Sequence, residues 1–123
     1  MAKAVGVGGI FLKARDPKAL SAWYQTHFDI QSVGGGTLIF DGPESVGMTV
    51  FSHFPLDAAN FGDGPQQAMV NLRVDDMDQL LAQLAAAGVR IDPKRDDSDF
   101  GRFAWIWDLE GNRVELWEPS PAG

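Results

Sequence analysis

The chain has no cysteine and only two histidines, His27 and His53. Disulfides, thiolate metal sites and a cysteine nucleophile are thereby excluded, and a site built on several imidazoles is hard to assemble. Positive charge is also scarce, with 10 lysines and arginines against 17 acidic residues and a formal net charge of -7. A nucleic-acid backbone binder needs a basic footprint. The short run Lys94-Arg95 is followed at once by Asp96 and Asp97. No apolar run reaches the length of a membrane span, and the first residues carry no signal-peptide pattern. The expectation is a cytoplasmic protein with neither nucleic acid nor membrane as partner. The glycines at 34–36 and 62–64 do not join a strand to a following helix, so they form no dinucleotide fingerprint.

What the chain does hold is strand and helix signals in a repeated order. At 123 residues it is sized for one domain. Val5 to Lys13 reads as a strand in which Gly6, Gly8 and Gly9 mark a bend or a close approach. Asp16 then caps a helix with Pro17 at its first position. That helix runs to about Phe28, with an apolar stripe of Leu20, Trp23, Tyr24 and Phe28. Strands follow at Ile30 to Val33 and Thr37 to Phe40, then a turn at residues 41–44 and a strand from Val46 to His53. Pro55 to Gln66 reads as a linker. Ala68 to Val74 is a strand, and Asp75 or Asp76 caps a second helix that Gly88 closes in a left-handed conformation. Its stripe is Met77, Leu80, Leu81, Leu84 and Ala85. A short strand at Val89 to Ile91 and a charged loop from Asp92 to Asp99 lead to a closing hairpin, Gly101 to Pro119.

A shift of 60 residues superposes Leu12 on Leu72, Lys13 on Arg73, Asp16 on Asp76, Leu20 on Leu80 and Ala22 on Ala82. Each half reads strand, capped helix, short strand, then hairpin. The expected fold class is α+β, with paired βαβββ modules at about residues 1–56 and 66–119. They form a curved mixed sheet around a cleft, with the helices outside.

Candidate site residues come from strand alternation. Glu115 shares a face with Arg113 and Trp117 and is the candidate catalytic group, since a carboxylate among apolar side chains has a raised pKa suited to acid–base work. The bland reading is an ion pair with Arg113 or Arg73. Asn71 shares a face with Met69 and Arg73 and needs hydrogen-bond partners that a ligand would supply. Trp105 shares a face with Trp107 and Phe103, and Trp117 stands beside Glu115. These aromatics either line a small-molecule site or fill core and interface. His53 is read as a surface residue at a strand end, with a cleft-facing role beside Glu115 as the sharper option. Lys13 and Arg73 either receive an anion or are solvated, and His27 complements its helix C-terminus.

The repeat, the segment K-A-R-D-P-K-A-L-S-A-W with Tyr24 after it, and D-L-E-G-N-R-V-E-L-W-E-P carry a family likeness. Over nearly its whole length the chain resembles the vicinal oxygen chelate superfamily of glyoxalase I, bleomycin-resistance proteins and extradiol dioxygenases. The resemblance implies the paired-module fold, a homodimer and, in the metal-dependent members, a divalent ion held by His and Glu side chains. At the matching positions this chain has Gly9, Met69, and Met48 or Thr49, leaving Glu115 alone. Catalytic metals use about three protein ligands. The expectation is therefore a divergent member with no metal cofactor. It would bind a small organic molecule through Glu115, Asn71, His53, Arg73, Trp105, Trp117 and Met69, whether or not it is an enzyme. The alternatives are a metal-dependent lyase or dioxygenase with displaced ligands such as His53 and Glu115, or a non-catalytic dimer that sequesters a ligand.

Overall fold

In a computed structural model the described residues are 1–41 and 48–120. Gly42, Pro43 and Glu44 of the expected turn, and Val46 and Gly47 of the expected strand, lie outside them. The described residues form β1 (Ala4–Ala14), α1 (Pro17–Phe28), β2 (Gln31–Gly34), β3 (Thr37–Phe40), β4 (Thr49–Pro55), β5 (Ala68–Val74), α2 (Met77–Ala86), β6 (Ile91–Ser98), β7 (Gly101–Trp107) and β8 (Arg113–Pro119). A 3-10 turn spans Ala59–Phe61. The fold is α+β with mixed pairing, and the βαβββ order occurs twice. Strands β1 and β4 pair in parallel, as do β5 and β8, while the remaining neighbours within each module are antiparallel. Two compact units divide the chain. Gly8–Met69 forms the N-terminal unit, and Met1–Val7 with Val70–Gly123 forms the C-terminal unit.

In the N-terminal unit the strand order is β2-β3-β4-β1. Asp16 caps α1 as its spacing implies, its carboxylate accepting from Ala19 N at 3.0 Å, with Pro17 next in the chain. Asp29 ends the helix in the left-handed region, φ 54°, which aspartate tolerates better than most residues. The expected stripe needs correction. Trp23 and Phe28 are 50% and 61% exposed, and the buried helix residue is Ser21. Ser21 and Tyr24, three apart on one helix face, meet β4, so Trp23 and Phe28 turn outward. The segment read as a linker also carries core: Phe61 is fully buried, packs edge-on to Phe54 and lies under the Lys13 ammonium. Gly9 meets the close approach expected of it. A Cβ there would stand 2.8 Å from Val50 O on the paired strand.

In the C-terminal unit β5, β8, β7 and β6 lie in that order. Alternation sends Leu72, Leu116, Ala104, Ile106 and Val114 to one face, where they pack with Met77, Leu80, Leu81 and Leu84 of α2. Burying one such leucine stabilises by about 1.5–3 kcal/mol. Helix α2 is capped by Asp76, and Glu118 Oε1 accepts from Met77 N at 2.6 Å. Gly88 follows its end with φ 82°, and Val89 N returns to Leu84 O.

The charged stretch read as a loop from Asp92 is instead most of β6. It pairs with β7 through Arg95↔Ala104, Asp96↔Phe103 and Asp97↔Arg102, with an irregularity between Ile91 and Arg95. Pro93 sits in that interval. Backbone pairing to β7 holds this strand, and its outward side chains bury little, so hydrophobic alternation does not reveal it.

Candidate functional site

The face of β5, β8 and β7 turned away from α2 carries the polar residues that alternation singled out. Asn71 lies opposite Glu115 across the parallel pairing, and Glu115 lies opposite Trp105 across the hairpin. The three side chains form one rung and bond along it. Asn71 Nδ2 donates to Glu115 Oε2 at 2.6 Å, and Trp105 Nε1 donates to Glu115 Oε1 at 3.1 Å. All three are buried, with Glu115 at 7% exposure. Burial pushes the Glu115 carboxyl above its ordinary value, against the opposing effects of the two donors and the Arg113 charge, while Asp96 adds to the rise. Asn71 Oδ1 is left buried with no hydrogen-bond partner among the described residues. An orphan amide oxygen beside a buried carboxylate is an unusual feature, because buried polar atoms are almost always paired.

The next rung holds Arg73, Trp117 and Phe103. Trp117 donates its indole N–H to Phe100 O at 2.9 Å and stacks on Phe103, with interplanar angle 3°. Arg73 Nη1 donates to Val7 O at 3.1 Å, and its guanidinium occupies the space a side chain at Gly6 would need. The guanidinium explains that glycine, because only a residue without Cβ lets it lie against β1. On the other side of Glu115, Arg113 is buried and bonds Asp92 at 2.7 Å. Its guanidinium lies 5.4 Å from the Trp105 ring and 5.1 Å from Trp107, with Arg90 over Trp107 and Lys94 over Trp105. Arg113 thus takes Asp92 as a carboxylate partner, while its charge also acts on Glu115.

His53 and Met69 belong to the N-terminal unit. The surface reading of His53 is overturned: it is 3% exposed. The imidazole stacks on Tyr24 at 10° and meets the edge of Phe51. Its Nδ1 shares a 2.6 Å hydrogen bond with Ser21 Oγ, and its Nε2 is buried without a partner among the described residues. Burial holds its pKa below the ordinary value, with the Gly36 backbone opposing. His53 therefore sits on the α1 side of its sheet. Sequence reasoning missed Ser21, although its three-residue spacing from Tyr24 was a usable signal. It also missed Asp92 as the anchor of Arg113. Met69 is fully buried, and His27 lies in the last turn of α1, 4.7 Å from the Trp23 ring.

A profile of the Glyoxalase/Bleomycin resistance protein/Dioxygenase superfamily matches residues 6–116. The chain belongs to this superfamily. No curated protein matches it in sequence. Among solved structures, methylmalonyl-CoA epimerase from Mycobacterium tuberculosis is 22% identical, with 97% of this chain and 91% of that one covered and a TM-score of 0.72. Streptomyces coelicolor methylmalonyl-CoA epimerase in complex with 2-nitronate-propionyl-CoA is 13% identical, with 97% of each chain covered and a TM-score of 0.74. A glyoxalase/bleomycin resistance protein/dioxygenase superfamily member from Vibrio splendidus 12B01 is 9% identical over 96% of this chain and 99% of that one, with a TM-score of 0.60. At these identities the likeness is one of fold.

The divalent ion that the resemblance implies for metal-dependent members does not fit the described residues. Among the described residues no cluster of three or more His, Asp or Glu side chains is placed to hold one. Glu115 has both oxygens engaged by N–H donors, Asn71 Nδ2 and Trp105 Nε1. At Gly9 even the Cβ of a ligating residue would collide with Val50 O.

Proposed function

We propose that the chain binds a small organic molecule against the Asn71–Glu115–Trp105 rung, without a conventional metal site. The observation that carries this reading is the unpartnered Asn71 Oδ1, buried beside a carboxylate that burial biases toward its protonated form. A ligand N–H or O–H satisfies that acceptor, and Trp105 with the Trp117–Phe103 stack supplies apolar surface for the ligand's carbon skeleton. Structural relatives captured with acyl-CoA compounds lend support for a small-molecule role of the fold. Glu115 is the group proposed to give or take a proton if the ligand is turned over, since its position at the centre of the rung lets it act without moving. Homodimerisation belongs to the same reading. The half-exposed Trp23 and the exposed Phe28 on α1 provide apolar surface in the N-terminal unit, and sedimentation equilibrium tests it. Among the described residues no helix is long and apolar enough to cross a membrane.

Elemental analysis of the purified chain beside Glu115→Gln tests the metal-free part. Stoichiometric divalent metal in the parent that is lost in the variant would sink it. Quenching of tryptophan fluorescence by 1-phenylethanol, a neutral aromatic alcohol, tests the site. The response should weaken strongly in Asn71→Leu, and an unchanged titration in that variant places any binding elsewhere.

A further inference from the structure

The orientation of the Asn71 amide is tied to the proton on Glu115. With Glu115 ionised, both its oxygens accept: Oε1 from Trp105 Nε1 and Oε2 from Asn71 Nδ2. Asn71 therefore points its Nδ2 at the carboxylate and leaves Oδ1 facing away, unpartnered. A proton taken from solvent by Glu115 goes to Oε2, because the indole at Oε1 can only donate, whereas the Asn71 amide at Oε2 can turn to accept. That Oε2–H then needs an acceptor, and the Asn71 side chain 2.6 Å away supplies one only by turning its amide over. The turn brings Oδ1 to the new hydroxyl and puts the Nδ2 donors where Oδ1 had been.

We infer that Glu115 and Asn71 form a proton-switched recognition pair, which presents an acceptor to hydroxyl or N–H ligands while Glu115 is ionised and a donor to carbonyl ligands once it is protonated. The inference rests on the binding site proposed above and adds the ligand chemistry it selects. The charged and titratable groups facing the pair act on the proton in both directions. Arg113 on β8 favours the carboxylate, and Asp96 on β6 opposes it. Lys94 on β6 lies over the Trp105 ring, and Arg73 on β5 stands one rung away. Trp105 on β7 stays a donor in both states, so it fixes Glu115 while Asn71 turns.

The test uses two uncharged probes of one shape, 1-phenylethanol and acetophenone, titrated into the whole chain and followed by the side-chain N–H resonances of Asn71 and Trp105. At about pH 8 the alcohol should bind about tenfold more tightly than the ketone, which would leave two acceptors facing one another. The preference should shrink toward unity as the pH is lowered through the raised pKa of Glu115 to about 4, since protonation then lets the ketone in. In Glu115→Gln the amide copies the protonated acid, and the preference should be small at both pH values. A preference that moves with neither pH nor the substitution overturns the switch while leaving the binding site intact. If neither probe shifts either resonance at about millimolar concentration, both the switch and the binding reading fail, and an ordered water is the partner of Oδ1. The pH arm uses the native chain, so it stands even if Glu115→Gln folds poorly.

Discussion

Replacing Glu115 by Gln should stabilise the protein at neutral pH and do little in acid. Burial raises the folded-state pKa of Glu115 above its ordinary value, so the folded chain holds this proton more tightly than the unfolded chain. The favourable contribution of the proton is fully present below the unfolded pKa and is lost as pH rises through the folded one. At neutral pH the ionised group therefore carries a cost of about 1.4 kcal/mol for each pH unit separating the two values. Glutamine keeps the shape, accepts from the Trp105 indole through Oε1, and donates through Nε2 to Asn71 Oδ1 once that amide turns. Exchanging two charge-assisted hydrogen bonds for two neutral ones forfeits about 1 kcal/mol apiece. The effective penalty of burying an ion is several kcal/mol, so its removal outweighs that loss. Urea unfolding at a series of pH values from about 4 to about 8 measures the difference directly. The variant and the parent should coincide at the acid end, with the variant gaining as pH rises. A variant weaker than the parent by about 2 kcal/mol or more at neutral pH would mean that the two N–H donors outweigh burial at Glu115, and the reasoning from desolvation would be wrong.

His53 carries the opposite sign. Its lowered pKa makes its contribution complete above the unfolded value near 6.5 and lost as pH falls, so His53→Leu should flatten the stability profile between about pH 7 and about pH 5. A parent profile that is already flat there, with Glu115 held as Gln, refutes this. Gly9→Ala should cost about 1–3 kcal/mol, because its Cβ meets the Val50 carbonyl, which strand pairing keeps from retreating. A neutral result in urea would show that β1 and β4 separate easily. Phe61→Ala should cost about 3–5 kcal/mol, a large part of the total stability of a small domain. A midpoint shift below about 1 kcal/mol equivalent would show that the segment before β5 is not part of the core.

The elements that sequence shows best are those whose side-chain pattern and backbone pairing agree. The hairpin of β7 and β8 and the helix α2 alternate or repeat clearly because one face of each packs on the other. Glu115, Asn71 and Trp105 can be placed on their strand faces for the same reason. Their hydrogen bonds to one another cannot, because the Asn71↔Glu115 contact depends on the register of a parallel pairing between residues 44 apart. Period two does not fix that register. His53 is hidden by a different gap. Alternation says which residues share its face but not which face the helix covers, and the Pro55 that closes the strand suggests an exposed end. Strand β6 leaves little apolar trace, since it is held by main-chain bonds.

That strand has a bearing on how the chain behaves among its own copies. As the outermost strand of its unit, β6 offers one row of main-chain groups that β7 does not use, the kind of margin along which extended chains add to each other and grow into aggregates. Pro93 carries no N–H, and the break in register around it spoils the straight line an incoming strand would follow. Beyond it, Lys94, Arg95, Asp96 and Asp97 set both signs of charge along the strand. A second copy of β6 laid alongside would have to match those charges as well as the main-chain groups. The charged stretch that conceals β6 from hydrophobic pattern reading is thus the same stretch that lines its free margin with charge.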